Sequence, residues 1–163
     1  MTTASMTAEI GKDFANIGPH LIALGIAYLL ALPLGWDREK EERSAGLRTF
    51  PLVAIASCGF IQAAETMMGN SPEAMSKIVE GLITGIGFIG GGAILRMKAS
   101  VRGTATAASL WATGAIGVSV GLGAFDVAIV LALVTFITLK LLSPIKRATG
   151  LDDTDQDPIA RID

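Results

Sequence analysis

Charge is scarce in this 163-residue chain: Asp, Glu, Lys and Arg make up 17% of it, where an ordinary soluble domain has about 25%. With 51% hydrophobic residues and a mean hydropathy of +0.56, the composition points to an integral membrane protein rather than a large soluble core. Cysteine is limited to Cys58, which excludes an intramolecular disulfide and a cysteine metal cluster. Its apolar flanks make it a small buried hydrophobe rather than a reactive thiol. Histidine is limited to His20, and no serine has a base nearby in a motif, so no catalytic constellation is expected. No glycine-rich segment ends in Gly-Lys-Ser/Thr, which excludes that phosphate-cradling loop. There is no strongly basic face and the net charge is -2, so nucleic acid is not an expected partner. No basic cluster precedes the first apolar run, so that run is expected to remain as a span rather than be cleaved as a signal.

What is present is a series of apolar runs. About twenty apolar residues cross the hydrocarbon layer. The runs predict an all-α integral membrane protein, a bundle of five transmembrane helices over about 17–35, 49–69, 76–96, 104–122 and 125–142. Residues 1–16 are polar and lie before the membrane domain, and 143–163 form an acidic tail with Asp152, Asp153, Asp155, Asp157 and Asp163. Pro33 predicts a kink or early stop in the first span, because it removes a backbone donor. Residues 36–48 hold the densest charge. Asp37/Glu41, Arg38/Glu42 and Glu39/Arg43 stand four apart, the spacing of a helical extension out of the membrane, with opposite-charge pairs among them. Pro144 is expected to end the last span.

Lysine and arginine set the orientation. Arg38, Lys40, Arg43, Arg48, Arg96, Lys98, Arg102, Lys140, Lys146, Arg147 and Arg161 fall on one side of the predicted spans, and only Lys12 and Lys77 on the other. The basic side is therefore expected to be cytoplasmic, with the N-terminus outside and the C-terminus inside.

The run from Gly81 to Leu95 is uncharged and loaded with glycine. Gly81/Gly85 and Gly87/Gly91 are spaced by four, as are Gly117/Gly121 in the next span, and such spacing lets helices approach closely. The expectation is that spans three and four pack tightly through these glycines at the centre of the bundle. Replacing Gly87 or Gly91 by leucine is then expected to damage folding.

Four blocks carry a family resemblance: Gly35-Trp36-Asp37-Arg38-Glu39; Ala45-Gly46-Leu47-Arg48-Thr49; Gly85-Ile86-Gly87-Phe88-Ile89-Gly90-Gly91-Gly92; and Val101-Arg102-Gly103 with Thr106-Ala107-Ala108-Ser109-Leu110-Trp111. In order and spacing they resemble the signature blocks of the MgtC/SapB family over roughly residues 17 to 142. The resemblance implies a bacterial cytoplasmic-membrane protein linked to growth in low magnesium. It also implies action on partner membrane proteins, such as the proton-driven ATP synthase, rather than carriage of magnesium. Longer members carry a C-terminal domain resembling the ACT fold, which is not expected in this chain. The family commonly has glutamate where Asp37 stands, histidine where Phe50 stands and glutamine where Glu80 stands.

Asp37, Arg38, Glu39, Arg48, Arg96 and Arg102 all fall at the expected cytoplasmic ends of spans one to four, and are expected to converge into one polar cluster. It would serve as a regulatory or partner-binding surface. As a metal site, Asp37 and Glu39, with Glu80 as a further candidate, would offer oxygen ligands to magnesium, the one cofactor in prospect. Glu80 is an ionisable residue within a span, a functional candidate by default. Glu65, Glu80 and Asp126 share a predicted depth near the outer surface, where, clustered, they would form an outward-facing acidic mouth for a divalent cation. A homo-oligomer in the lipid bilayer is expected. The competing function is a divalent cation transporter or channel.

Overall fold

The computed structural model describes residues 17–40, 45–69, 71–96 and 101–148, and for residues 95, 96, 101, 102 and 143–148 the backbone alone. The polar N-terminal segment, residues 149–163 of the acidic tail and Lys98 lie outside the described residues.

The described residues form five helices: α1 Ile17–Lys40, α2 Thr49–Met68, α3 Pro72–Gly92, α4 Thr104–Gly121 and α5 Phe125–Ala148. Between α3 and α4 the backbone forms a two-strand antiparallel ladder, β1 Leu95–Arg96 and β2 Val101–Arg102. Lipid leaves an unpaired backbone N–H or C=O without a partner, so helix is the form these apolar runs must take. The helix starts are locally encoded. Gly46 O accepts from Thr49 N (3.0 Å) and Phe50 N (3.1 Å), opening α2 just ahead of Pro51. Ser71 caps α3 by accepting from Ala74 N (3.4 Å), with Pro72 and Glu73 in the first turn, where a missing donor and a negative charge both suit the helix.

Boundaries differ from the sequence expectation in physically simple ways. α1 continues through Pro33 to Lys40, because a proline removes one bond while the charged turn beyond it supplies the rest of the helix. α3 begins at Pro72 and ends at Gly92, where the predicted span runs on to residue 96. The remainder is drawn into the β-ladder. α5 continues past Pro144 to Ala148.

Among the described residues four helices, α1, α2, α3 and the Phe125–Leu142 part of α5, are long and apolar enough to cross a membrane. α4 has the length and carries no charge, but its alanine, serine, threonine and glycine content lowers its hydropathy. It is shielded instead by protein: α1, α2, α3 and α5 all pack on it. Thr106, Ser109, Leu110, Thr113, Gly114, Ile116, Gly117 and Val120 are buried. The buried hydroxyls are satisfied within the helix, Ser109 Oγ donating to Thr106 O (2.9 Å) and Thr113 Oγ1 to Ser109 O (2.8 Å).

The centre of the bundle is therefore α4, and the run from Gly81 to Leu95 is not. In α3 only Ile86 and Gly90 are buried. A Cβ placed on Gly81, Gly85, Gly87 or Gly91 would meet nothing within 4 Å. The reason is register. Ile86 and Gly90 lie one turn apart on the face toward α4, while Gly81/Gly85 and Gly87/Gly91 fall on other faces. Gly90 makes the close approach, a Cβ there lying 3.1 Å from Ala107 O. Gly117 and Gly121 sit in tight contacts, but against α2 rather than α3. Gly117 faces the Ala54 carbonyl, and a Cβ on Gly121 would stand 2.7 Å from Ile61 Cβ.

Candidate functional site

Where α1 leaves its apolar stretch, two consecutive ionic residues are buried. The side chain of Asp37 is 8% exposed and that of Arg38 3%. Arg38 Nη2 donates to Asp37 Oδ2 at 2.5 Å and Arg38 Nε to the same oxygen at 3.2 Å. The other carboxylate oxygen, Oδ1, lies 3.7 Å from Lys140 Nζ of α5. Lys140 is 56% exposed, so it reaches Asp37 from the solvent side. One carboxylate thus stands between two cations from the first and last helices. Burying charge is tolerated here because the acid and the guanidinium compensate each other directly.

The next residue joins α1 to the start of α2. Glu39 Oε2 accepts from the backbone N–H of Leu47 at 3.0 Å. The join is close on both sides. A Cβ on Gly35 would lie 3.1 Å from Gly46 O and 3.2 Å from Leu47 Cα, and one on Gly46 would run into the Glu39 carboxylate. The blocks Gly35–Glu39 and Ala45–Thr49 are therefore two halves of one interlocked corner, with Ala45 and Phe50 buried in it. Trp36 stays exposed at this corner, with Lys40 Nζ 5.3 Å from its ring centre, a cation–π pair.

The other expected members are placed separately. Arg48 is exposed at the N-cap of α2 and makes no side-chain capping bond. Arg96 and Arg102 lie on the β-ladder, in the pairs Arg96↔Val101 and Leu95↔Arg102, and their side chains lie outside the described residues. Gly103 closes this turn with φ +90, a conformation other residues resist, and a Cβ there would meet the Ala93 carbonyl.

Glu80 is exposed on α3 and stands apart from this end. Asp37, Glu39 and Glu80, the three metal candidates, form no shared group. Both Asp37 oxygens face cations of the protein and Glu39 is committed to Leu47 N–H. Glu65 and Asp126 are exposed as well. Among the described residues, no three His, Cys, Asp or Glu side chains are placed to hold a metal ion, Glu65, Glu80 and Asp126 included.

Lys140 is the member that sequence reasoning missed. It entered only as one more positive charge at the end of an apolar helix. The available signal was its depth, level with Asp37 at the basic end of a neighbouring span.

The MgtC family description matches residues 24–148. Protein MgtC of Salmonella typhimurium (strain LT2) is 42% identical over 107 residues, which cover 66% of this chain and 45% of that protein. Protein SrpB of Synechococcus elongatus is 35% identical over 134 residues, 75% of this chain and 72% of its own length. Protein MgtC of Brucella abortus is 35% identical over 119 residues, 73% of this chain and 49% of that protein. The chain thus spans about half the length of the MgtC proteins it matches. No solved structure matches it.

Proposed function

The chain belongs to the MgtC family, and on that premise we propose that it is a non-enzymatic, multi-pass protein of the bacterial cytoplasmic membrane that regulates partner membrane proteins during adaptation to low magnesium. The observation that carries this reading is the Asp37–Arg38–Lys140 cluster beside the Glu39–Leu47 join. Its charges are used to hold α1, α2 and α5 together at one end, and what the corner presents outward is the Trp36–Lys40 pair and Arg48. The excess of lysine and arginine at this end supports a cytoplasmic orientation for it. A rigid corner with an exposed aromatic and cations suits contact with another protein.

The competing reading, a magnesium transporter or channel, requires polar groups free to line a path. The buried hydroxyls of Ser57, Ser109 and Thr113 each donate to a carbonyl of their own helix. Asp37 faces Arg38 and Lys140, and Glu80 is exposed on α3. The deciding measurement is magnesium flux into liposomes holding the purified protein, read with an internal indicator dye. Flux indistinguishable from protein-free liposomes is expected. Magnesium flux abolished by Asp37→Asn or Glu80→Gln would replace the regulatory reading with the transporter. A photo-crosslinker in place of Trp36 is expected to capture a membrane protein in cells starved of magnesium, with the ATP synthase as first candidate.

A further inference from the structure

A cleft of about 660 Å³ runs between α2 and α3. Its walls are Leu52, Ala56 and Phe60 of α2 and Ile78, Gly81 and Gly85 of α3. It exists because Gly81 and Gly85 carry no side chain where open space begins. Both helices are apolar enough to cross a membrane, so whatever fills the cleft comes from within the bilayer. At one end stand Arg48 and Thr49, and at the other Lys77, with no carboxylate among the lining residues.

We propose that this cleft binds one acyl chain of an anionic phospholipid, whose phosphate is held by Arg48. Size argues for a chain over a helix. A transmembrane helix about 10 Å across and 30 Å long occupies roughly 2,000 Å³, well beyond the cleft, whereas an alkyl chain is thin enough to lie along it. Charge fixes the end. Lys77 is already paired with Glu73 at 3.4 Å. Arg48 is exposed and has no ion-pair partner among the described residues, leaving its planar fork for a phosphate. Headgroup charge also has to supply the selectivity, because moving a lipid tail from bilayer to an apolar cleft gains no hydrophobic energy.

The test is native mass spectrometry of the full chain released from nanodiscs of phosphatidylglycerol and phosphatidylcholine mixed equally. One phosphatidylglycerol retained per chain is expected. Arg48→Gln should weaken its retention roughly fivefold, the effect of one basic residue on an anionic lipid. Gly85→Leu, which fills the cleft, should abolish retention. Gly87→Leu, on the same helix but outside the cleft lining, should retain lipid as the parent does and controls for the loss of a glycine. Equal retention of phosphatidylcholine and phosphatidylglycerol overturns the proposal. So does unchanged retention in Arg48→Gln, which leaves the core untouched and answers even if Gly85→Leu fails to fold. Disulfide-linked dimers formed by Ala56→Cys without bound lipid would make the cleft a protein interface instead. This site stands or falls separately from the regulatory reading, since neither magnesium flux nor a partner enters the measurement.

Discussion

α3 and α4 are both rich in glycine, and they use it oppositely. In α4, Gly114, Gly117 and Gly121 each sit where an added Cβ would collide, with Ile86, with the Ala54 carbonyl and with Ile61. In α3, Gly81, Gly85, Gly87, Gly91 and Gly92 face open space, and Phe88 beside them is 85% exposed. The four-residue spacing is the same in both helices. It states that a close approach is permitted, and the bulk on the neighbouring faces decides whether one occurs. α4 presents small residues to every neighbour and becomes the axis. α3 presents Ile86 and Gly90 to α4, and its remaining glycines face the cleft beside α2 or open space.

The largest expected effect lies on the sealed side. Asp37→Leu leaves the Arg38 guanidinium buried without its acid, and removing one partner of a buried pair costs about 3–5 kcal/mol. A sharp fall in the yield of monodisperse protein and in thermal unfolding temperature in detergent is expected. Unchanged unfolding would mean that the corner opens to water and is not sealed at all. Next comes Gly117→Leu, which drives a side chain into the α2 backbone. Overpacking of this kind costs about 3 kcal/mol, read in the same unfolding experiment. If it unfolds like the parent, the distinction between filled and open glycines collapses.

Glu39→Ala is a smaller probe of the same side. It removes one hydrogen bond to Leu47 N–H, worth about 1 kcal/mol. The expected signature is local, with faster hydrogen exchange at Leu47 and the first turn of α2 and little change elsewhere. Exchange accelerated throughout α1 and α2 would make the join a global rather than a local support.

How far this was legible in the sequence differs between the two regions. Helix number and membrane character follow from long uncharged runs, since lipid permits few alternatives. The join of Glu39 to Leu47 was foreshadowed by their position at adjacent span ends. The specific partners were not: Arg38 turning back on its own neighbour, and Lys140 arriving from a helix a hundred residues away. A three-dimensional contact between α1 and α5 leaves no periodic trace in either segment. The role of the glycines was misread for a related reason. Spacing of four identifies a face of a helix, while the direction that face takes is set by Ile86 and Gly90, which the glycine pattern conceals. The identity of the central helix was hidden by hydropathy itself, because α4, wrapped by protein, has no need of the most apolar residues.

The smallest expected effect is therefore the most informative about α3. If tight packing ran through all its glycines, Gly87→Leu would be as damaging as Gly117→Leu. With open space at Gly87, the added side chain meets only lipid, and surface changes of this kind stay within about 0.5 kcal/mol. Leucine is also the better helix former, so the unfolding temperature should hold or rise slightly. The same substitution separates the isolated chain from its assembly. A variant that unfolds like the parent in detergent, yet runs at a smaller size on chromatography, would place Gly87 in a contact between copies. One that keeps the parent's size would leave that face of α3 to the bilayer, with Gly90 as the glycine that seats the helix on α4.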